Sequence, residues 1–231
     1  MAAKISFEIQ LAVTHFIGFT TLLLNGYFFN TYSELAWPSK TKNGVNLHGF
    51  FMVVAFIFLQ GEALLAYRVH RESTKLFAKF IHVILHIAAI AFGVVALIAI
   101  IINKNNKGYN HFYSVHSWIG IGLIAGYIIH FSFGFLSFLC PCTPGTFRAR
   151  FLPIHRIIGA TCLGLAVVQC ALGYVTLLES APSCFSKLSC KDGMEYIASF
   201  GLISIIVYSV LVLTIITPAA WRRQKTPDEL K

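Results

Sequence analysis

Charge is what this sequence has least of. Of its 231 residues, 12% are Asp, Glu, Lys or Arg, against about 25% in a soluble domain of ordinary composition. That excludes an ordinary water-soluble domain. Acid is scarcest, at 9 residues against 18 Lys and Arg, for a formal net charge of +9. No segment alternates strictly between apolar and polar residues, which excludes the strands of a membrane barrel. No pair of C-x-x-C motifs occurs, which excludes a zinc ribbon. Low-complexity segments are absent, and the one carboxylate deep inside an apolar run is Glu62.

What is present is apolar. Hydrophobic residues are 57% of the chain, and the mean hydropathy is +0.73. They gather in six runs, roughly 9–29, 46–67, 80–102, 115–139, 153–178 and 196–219. Each is near or above the ~20 residues a helix needs to cross ~30 Å of hydrocarbon at 1.5 Å per residue. The expected fold is an all-α membrane protein of six transmembrane helices. It forms a single transmembrane domain over 1–231, with no separate soluble domain. The first run is too long for a signal peptide and lacks a small-residue cleavage site, so it counts as a helix. Pro153 suits the first turn of the fifth helix, where its missing N–H costs nothing.

The cations flank the runs rather than forming one basic face, which argues against nucleic acid. Lys4, Arg68, Arg71, Lys75, Lys79, Arg148, Arg150, Arg156, Arg222, Arg223, Lys225 and Lys231 fall on one side. Lys40, Lys42, Lys104, Lys107, Lys187 and Lys191 fall on the other. The positive-inside rule puts the richer side, with both termini, in the cytosol. Loops 30–45, 103–114 and 179–195 then face the outside or an organelle lumen. Cys184 and Cys190 share the last of these loops, where an oxidising compartment permits a disulfide. Cys140 and Cys142, a C-P-C on the cytosolic side, are expected to be reduced. Cys162 and Cys170, inside the fifth run, read as small hydrophobes.

Histidine carries the informative pattern. Four consecutive runs hold one near their N-terminal end. They are "NLHGFF" with His48, "KFIHVILH" with His82 and His86, "YSVHSWIG" with His116 and "LPIHRIIG" with His155. Successive helices alternate in direction. His48 and His116 therefore lie at one depth, and His82 or His86 lies with His155 at another. Helices 2 to 5 joined by short loops make a four-helix bundle, whose core is a common cofactor site. Two imidazoles from diagonal helices can ligate one haem iron from both faces and leave no open position for O₂. That is an arrangement for electron transfer, and two layers give two haems.

Plainer roles stand beside this one. Intramembrane ionisable residues default to function, yet any single histidine can simply bond a neighbouring backbone or hydroxyl group. His15 and His130 are assigned that plain role. Gly49, Gly61, Gly93, Gly120, Gly122, Gly126, Gly159 and Gly164 suit a flat macrocycle, or the ordinary close packing of membrane helices. Glu62, fourteen residues after His48, shares its face. It can bond a ligating histidine or a propionate, or pair with Arg68 at the membrane edge. The alternative function is a divalent-metal transporter that uses the histidines directly. Metal pathways mix histidine with carboxylates, and a lone buried carboxylate argues against it. A haem-free scaffold is the third reading.

The histidine stretches, with "GEALLAYR" (61–68) and "KFIH" (79–82), resemble the distinctive motifs of the cytochrome b-561 family of transmembrane ascorbate-dependent oxidoreductases. The resemblance spans helices 2 to 5 and their loops. It implies a six-helix homodimer with two haem b groups, held by His48 with His116 and by His82 with His155. It thus selects His82 over His86. It implies cytosolic ascorbate as donor and monodehydroascorbate or a ferric chelate as the non-cytosolic acceptor. It also implies a vesicle, endolysosomal or plasma membrane. Lys79 matches the family's lysine at the ascorbate site, with Arg68, Lys75, Arg148 and Arg150 as its neighbours. A cationic rim of this kind concentrates the ascorbate monoanion. One departure concerns the acceptor. Many members carry a histidine at the outer end of helix 3, where "INKNNKGYNHFYSVH" (102–116) puts Lys104 or Asn105. Lys104 suits an anionic acceptor better than a bare cation, and Tyr113 adds a ring or hydroxyl contact. Trp118 packs on the bundle or joins the interfacial aromatic belt.

Overall fold

Long apolar runs wind into helices because hydrocarbon offers no partner to a backbone N–H or C=O, so each segment must satisfy its own. The computed structural model describes residues 2–32, 34–140, 143–179, 184–190 and 193–223. It contains six helices long and apolar enough to cross a membrane. They are α1 (Ala2–Tyr32), α2 (Val45–Val69), α3 (Lys75–Lys107), α4 (Val115–Phe138), α5 (Gly145–Glu179) and α6 (Met194–Ile216). Among the described residues there is no strand. Lys191, Lys225, Lys231 and Cys142 lie outside the described residues.

The helices start and stop on recognisable signals. Thr74 caps α3 by accepting a hydrogen bond from the Phe77 N–H at 3.3 Å, and Ser114 caps α4 by accepting from the Ser117 N–H at 3.2 Å. α3 ends at Gly108, whose φ of +66° is the left-handed conformation that glycine adopts at no steric cost. Three starts lie earlier than the apolar runs suggest: α1 at Ala2 rather than near 9, α3 at Lys75 rather than near 80, and that of α5. α5 begins at Gly145 and not near 153, so Pro153 lies inside the helix rather than in its first turn. Hydropathy registers only the part in hydrocarbon, while the stretch bearing Arg148 and Arg150 winds on beyond it. A membrane helix tolerates an internal proline where neighbours satisfy the freed carbonyl.

α2 is irregular at Val54–Leu59, a π-helical stretch. Lengthening the backbone bonds from i−4 to i−5 there withholds about one residue's rotation, roughly 100°.

Helices α2 to α5 form a square. α2 packs on α3, α3 on α4, α4 on α5, and α5 back on α2. α2 and α4 therefore share one diagonal, and α3 and α5 the other. α1 and α6 pack on each other and cover α2 and α5 from outside. The buried core lies along that seam and includes Phe28, Ile57, Leu163, Ile205, Tyr208 and Val212. Polar ties fix the start of α2. Asn46 Nδ2 donates to the Phe29 carbonyl at 2.7 Å, and Asn103 Oδ1 accepts from the Gly44 N–H at 2.9 Å. Between α5 and α6 a single helical turn, Cys184–Lys187, is closed by a Cys184–Cys190 disulfide with Cα atoms 4.7 Å apart. Cys140 is disulfide-bonded, against the expectation of a free thiol. That expectation rested on compartment alone, which does not decide which sulfurs lie within bonding reach.

Candidate functional site

The square brings the expected histidines together in two pairs. His48 on α2 and His116 on α4 face each other across one diagonal, with ring centroids 6.3 Å apart and planes at 85°. His82 on α3 and His155 on α5 do so across the other, at 6.2 Å and 67°. α2 and α4 start at one end of the bundle, α3 and α5 at the opposite end, so the pairs lie at opposite ends. The separations have chemical meaning. An imidazole nitrogen binds a metal at about 2.0–2.1 Å and the ring centroid lies about 1.1 Å behind it, so two rings sharing one iron stand roughly 6.3 Å apart.

Neighbouring elements orient the rings. The Nδ1–H of His48 donates to the Ala96 carbonyl on α3 at 3.0 Å. That of His82 donates to the Ala63 carbonyl on α2 at 2.8 Å. These bonds fix the tautomer and leave Nε2 as the free lone pair. His116 is held by Gln169 of α5, whose amide nitrogen lies 3.0 Å from Nδ1 and also donates to the His116 carbonyl. His155 Nδ1 is buried and has no hydrogen-bond partner among the described residues. Its ring is wedged instead by His130, stacked at 4.5 Å, by Phe138 at 5.2 Å and by Phe151 at 6.1 Å.

Two glycines make room for the rings, and sequence reasoning missed both. A Cβ at Gly134 would stand 2.8 Å from His155 Cε1, and one at Gly173 would stand 3.1 Å from His116 Cε1. The glycines singled out from sequence serve elsewhere. Gly49, Gly61, Gly93 and Gly120 receive Phe29, Tyr208, Phe56 and Gln169, while Gly159 meets Leu64 and the edge of His130. Gly122, Gly126 and Gly164 have nothing within 4 Å. Gln169 was missed too, although an amide in the middle of an apolar run was a visible signal.

The remaining histidines divide clearly. His86 lies next to His82, at 4.4 Å, but its Nδ1 hydrogen-bonds the Tyr127 hydroxyl of α4. His82 is the one that faces His155. His130, assigned a plain role, stacks on His155. His15, assigned the same plain role, bonds Glu62 Oε1 at 3.1 Å. Glu62 itself turns outward to α1 and α6, where the Tyr208 hydroxyl donates to it at 2.9 Å. The π stretch lies between His48 and Glu62. The rotation it withholds, roughly 100°, breaks the fourteen-residue spacing that an unbroken α-helix would put on one face. Arg68 does not pair with Glu62 either. It is buried, and Nη2 donates to the Ile216 carbonyl at the end of α6.

The cations gather at the two ends. Lys79 Nζ donates to the Phe138 carbonyl at 2.6 Å, beside the His155 ring that Phe138 touches. Lys75 and Arg148 add positive potential at Lys79, and Arg150 is exposed nearby in sequence. Arg68 is not part of this rim; its charged neighbours are Arg156 and Arg222. At the opposite end Lys104 Nζ lies 4.8 Å over the Tyr113 ring and donates to the Asn110 carbonyl at 3.3 Å. Asn105 Oδ1 bonds His111 Nε2 at 2.8 Å. Lys104 and Asn105, in the last turn of α3, thus lie with Tyr113 of the α3–α4 loop at the end that holds His48 and His116. Among the described residues no three His, Cys, Asp or Glu side chains gather as a metal-ion site.

The family model described as eukaryotic cytochrome b561 matches residues 47–179, from the first turn of α2 to the end of α5, and spans both histidine pairs. The chain belongs to the eukaryotic cytochrome b561 family. The transmembrane ascorbate-dependent reductase CYB561 of Mus musculus is 33% identical over 219 residues, covering 94% of this chain and 86% of that protein. The Homo sapiens protein of the same name matches at the same identity and coverage, 33%, 94% and 86%. The plasma membrane ascorbate-dependent reductase CYBRD1 of Xenopus laevis is 31% identical over 221 residues, covering 89% of this chain and 76% of that protein. Haem b is the cofactor that membership of the cytochrome b561 family implies. The residues present fit it on this chain's own geometry, through two facing imidazole pairs at the bis-ligand distance and the gaps that Gly134 and Gly173 leave beside the rings.

Proposed function

We propose that this cytochrome b561 is a transmembrane ascorbate-dependent reductase. Cytosolic ascorbate is the donor, two haem b groups span the membrane, and a non-cytosolic monodehydroascorbate or ferric chelate is the acceptor. The observation that supports it is the pair of facing imidazole pairs, 6.3 Å and 6.2 Å between rings, at opposite ends of one bundle. His48 with His116, and His82 with His155, would hold the two haems. Haem held by these imidazoles would supply one-electron transfer. The reading includes a homodimer in a vesicle, endolysosomal or plasma membrane, with both termini cytosolic.

The chain's own residues do the docking. Lys79, Lys75 and Arg148 attract the ascorbate monoanion, with Arg150 at their margin, and Phe138 joins that rim to the His155 ring. Losing one electron turns the monoanion into monodehydroascorbate and releases one proton to the cytosol. The product is also an anion, so the same rim holds it. Arg68, committed to the Ile216 carbonyl, is left out of this site. On the other side Lys104, held over Tyr113, attracts an anionic acceptor and repels a bare cation. Asn105, bonded to His111, completes that loop surface. No side chain needs to act as a nucleophile.

The visible spectrum of the purified protein tests the reading. Two haems per chain and a sharp α band near ~560 nm that grows with ascorbate are expected of bis-histidine haems. A colourless protein would overturn the haem reading. Haem that dithionite reduces and ascorbate does not would overturn the donor.

A further inference from the structure

A carboxylate inside a membrane helix is costly and is kept where it has partners and a task. Glu62 is such a group, and electron transfer between histidine pairs gives it no task. Its Oε1 receives the Tyr208 hydroxyl of α6 at 2.9 Å and faces His15 Nδ1 of α1 at 3.1 Å. One carboxylate therefore ties α2 to both outer helices.

The surroundings are built around this contact. Tyr208 is fully buried. Its ring lies in a slot between two glycines. A Cβ on Gly18 of α1 would stand 2.7 Å from Tyr208 Cε2, and one on Gly61 of α2 would stand 2.5 Å from its hydroxyl oxygen. Phe58 stacks on the ring at 6.1 Å and 27°. The same hydroxyl lies 3.3 Å from the Phe58 carbonyl. Phe58 belongs to the π stretch. The slot, the π stretch and the carboxylate converge on one turn of α2.

That turn has a second occupant. The residue after Glu62 is Ala63, whose buried carbonyl accepts the Nδ1–H of His82 at 2.8 Å. Partners of this kind set the ring orientation and basicity of a metal-bound imidazole. We propose that His15, Glu62 and Tyr208 are positioning residues for His82, which clamp the turn of α2 whose Ala63 carbonyl orients that ring. They act on one haem alone, because His48 takes its bond from Ala96 on α3. The inference rests on the reading of His82 and His155 as haem ligands.

Redox titration of the purified holoprotein, with low-temperature electron paramagnetic resonance, separates the possibilities. His155→Ala identifies the signals of the haem held by His82. Tyr208→Phe keeps the ring, the slot and Glu62, and removes only the hydroxyl. Both haems are retained, the potential of the His82 haem rises as its ligand loses basicity, and its resonance lines shift. The other haem keeps both values. His15→Leu moves the same haem in the same sense, and His15→Gln, which restores a donor, returns it toward the parent value. Unchanged signals in both Tyr208→Phe and His15→Leu overturn the proposal. So do equal shifts at the two haems, the mark of a distant charge. A parent protein without two bis-histidine haems overturns the underlying reading instead, and its own spectrum shows this before any variant is made.

Discussion

Replacing Gly134 with alanine puts the geometry of one histidine pair under direct load. The new Cβ would stand 2.8 Å from His155 Cε1, whereas carbon atoms rest about 3.5–4.0 Å apart. The ring must therefore retreat by about 0.7 Å or more. It has nowhere easy to go. His130 is stacked on it at 4.5 Å, and Phe138 and Phe151 close two further sides at 5.2 Å and 6.1 Å. Overpacking of this kind costs about 1–3 kcal/mol, while metal–ligand distances tolerate only about ±0.2 Å. The displacement exceeds that tolerance roughly threefold. Haem content should fall from two to one per chain, and the surviving haem should keep the potential of the His48 and His116 pair. Gly126→Ala is the control, since nothing lies within 4 Å of its Cβ position. Haem content by the pyridine haemochrome method decides the matter. Two haems with an unchanged spectrum in Gly134→Ala would refute the placement of His155 as a ligand.

Two further outcomes follow from the charged rims. Lys79→Ala removes one cation from the rim beside Phe138. At about 1 kcal/mol for a partly exposed charge contact, the ascorbate concentration for half-reduction should rise about fivefold. The haem spectrum should stay intact, and loss of haem in this variant counts against Lys79 as a docking residue. Lys104→Ala should slow stopped-flow reoxidation by an anionic ferric chelate by a similar factor and leave reduction by ascorbate alone. Equal slowing with a neutral acceptor would remove the charge argument for Lys104.

The helix count and the pairing of histidines were legible for physical reasons. An apolar run of about 20 residues has one economical way to satisfy its backbone in lipid. Successive spans run in opposite directions, so His48 must meet the level of His116, and His82 that of His155. Helix ends were less legible, because hydropathy reports where the hydrocarbon stops and not where the hydrogen bonds stop. Pro153, inside α5, is the cost of that confusion. His82 and His86 could not be separated by spacing, since one turn leaves them on nearly the same face. Their partners separate them, with His155 for one and Tyr127 for the other.

The misses share a cause. Gly134, Gly173 and Gln169 act across a gap between helices, and a single helix's periodicity carries no information about its neighbour's face. Gly134 and Gly173 share a helix with a histidine, as the glycines chosen from sequence do; what sets these two apart is a paired imidazole from another helix closing on them. Glu62 failed for a subtler reason. Its fourteen-residue spacing from His48 assumes unbroken α-helical winding, and "VAFIFL" at 54–59 holds only ordinary apolar residues. Nothing in those six side chains announces a π stretch. The irregularity becomes intelligible from the far side of the contact. The Tyr208 ring fills the slot at Gly61, and its hydroxyl lies 3.3 Å from the Phe58 carbonyl inside the π stretch. The break in the helix thus lies at the α2–α6 contact, between two segments 150 residues apart. Only a reading that already paired those segments could have found it.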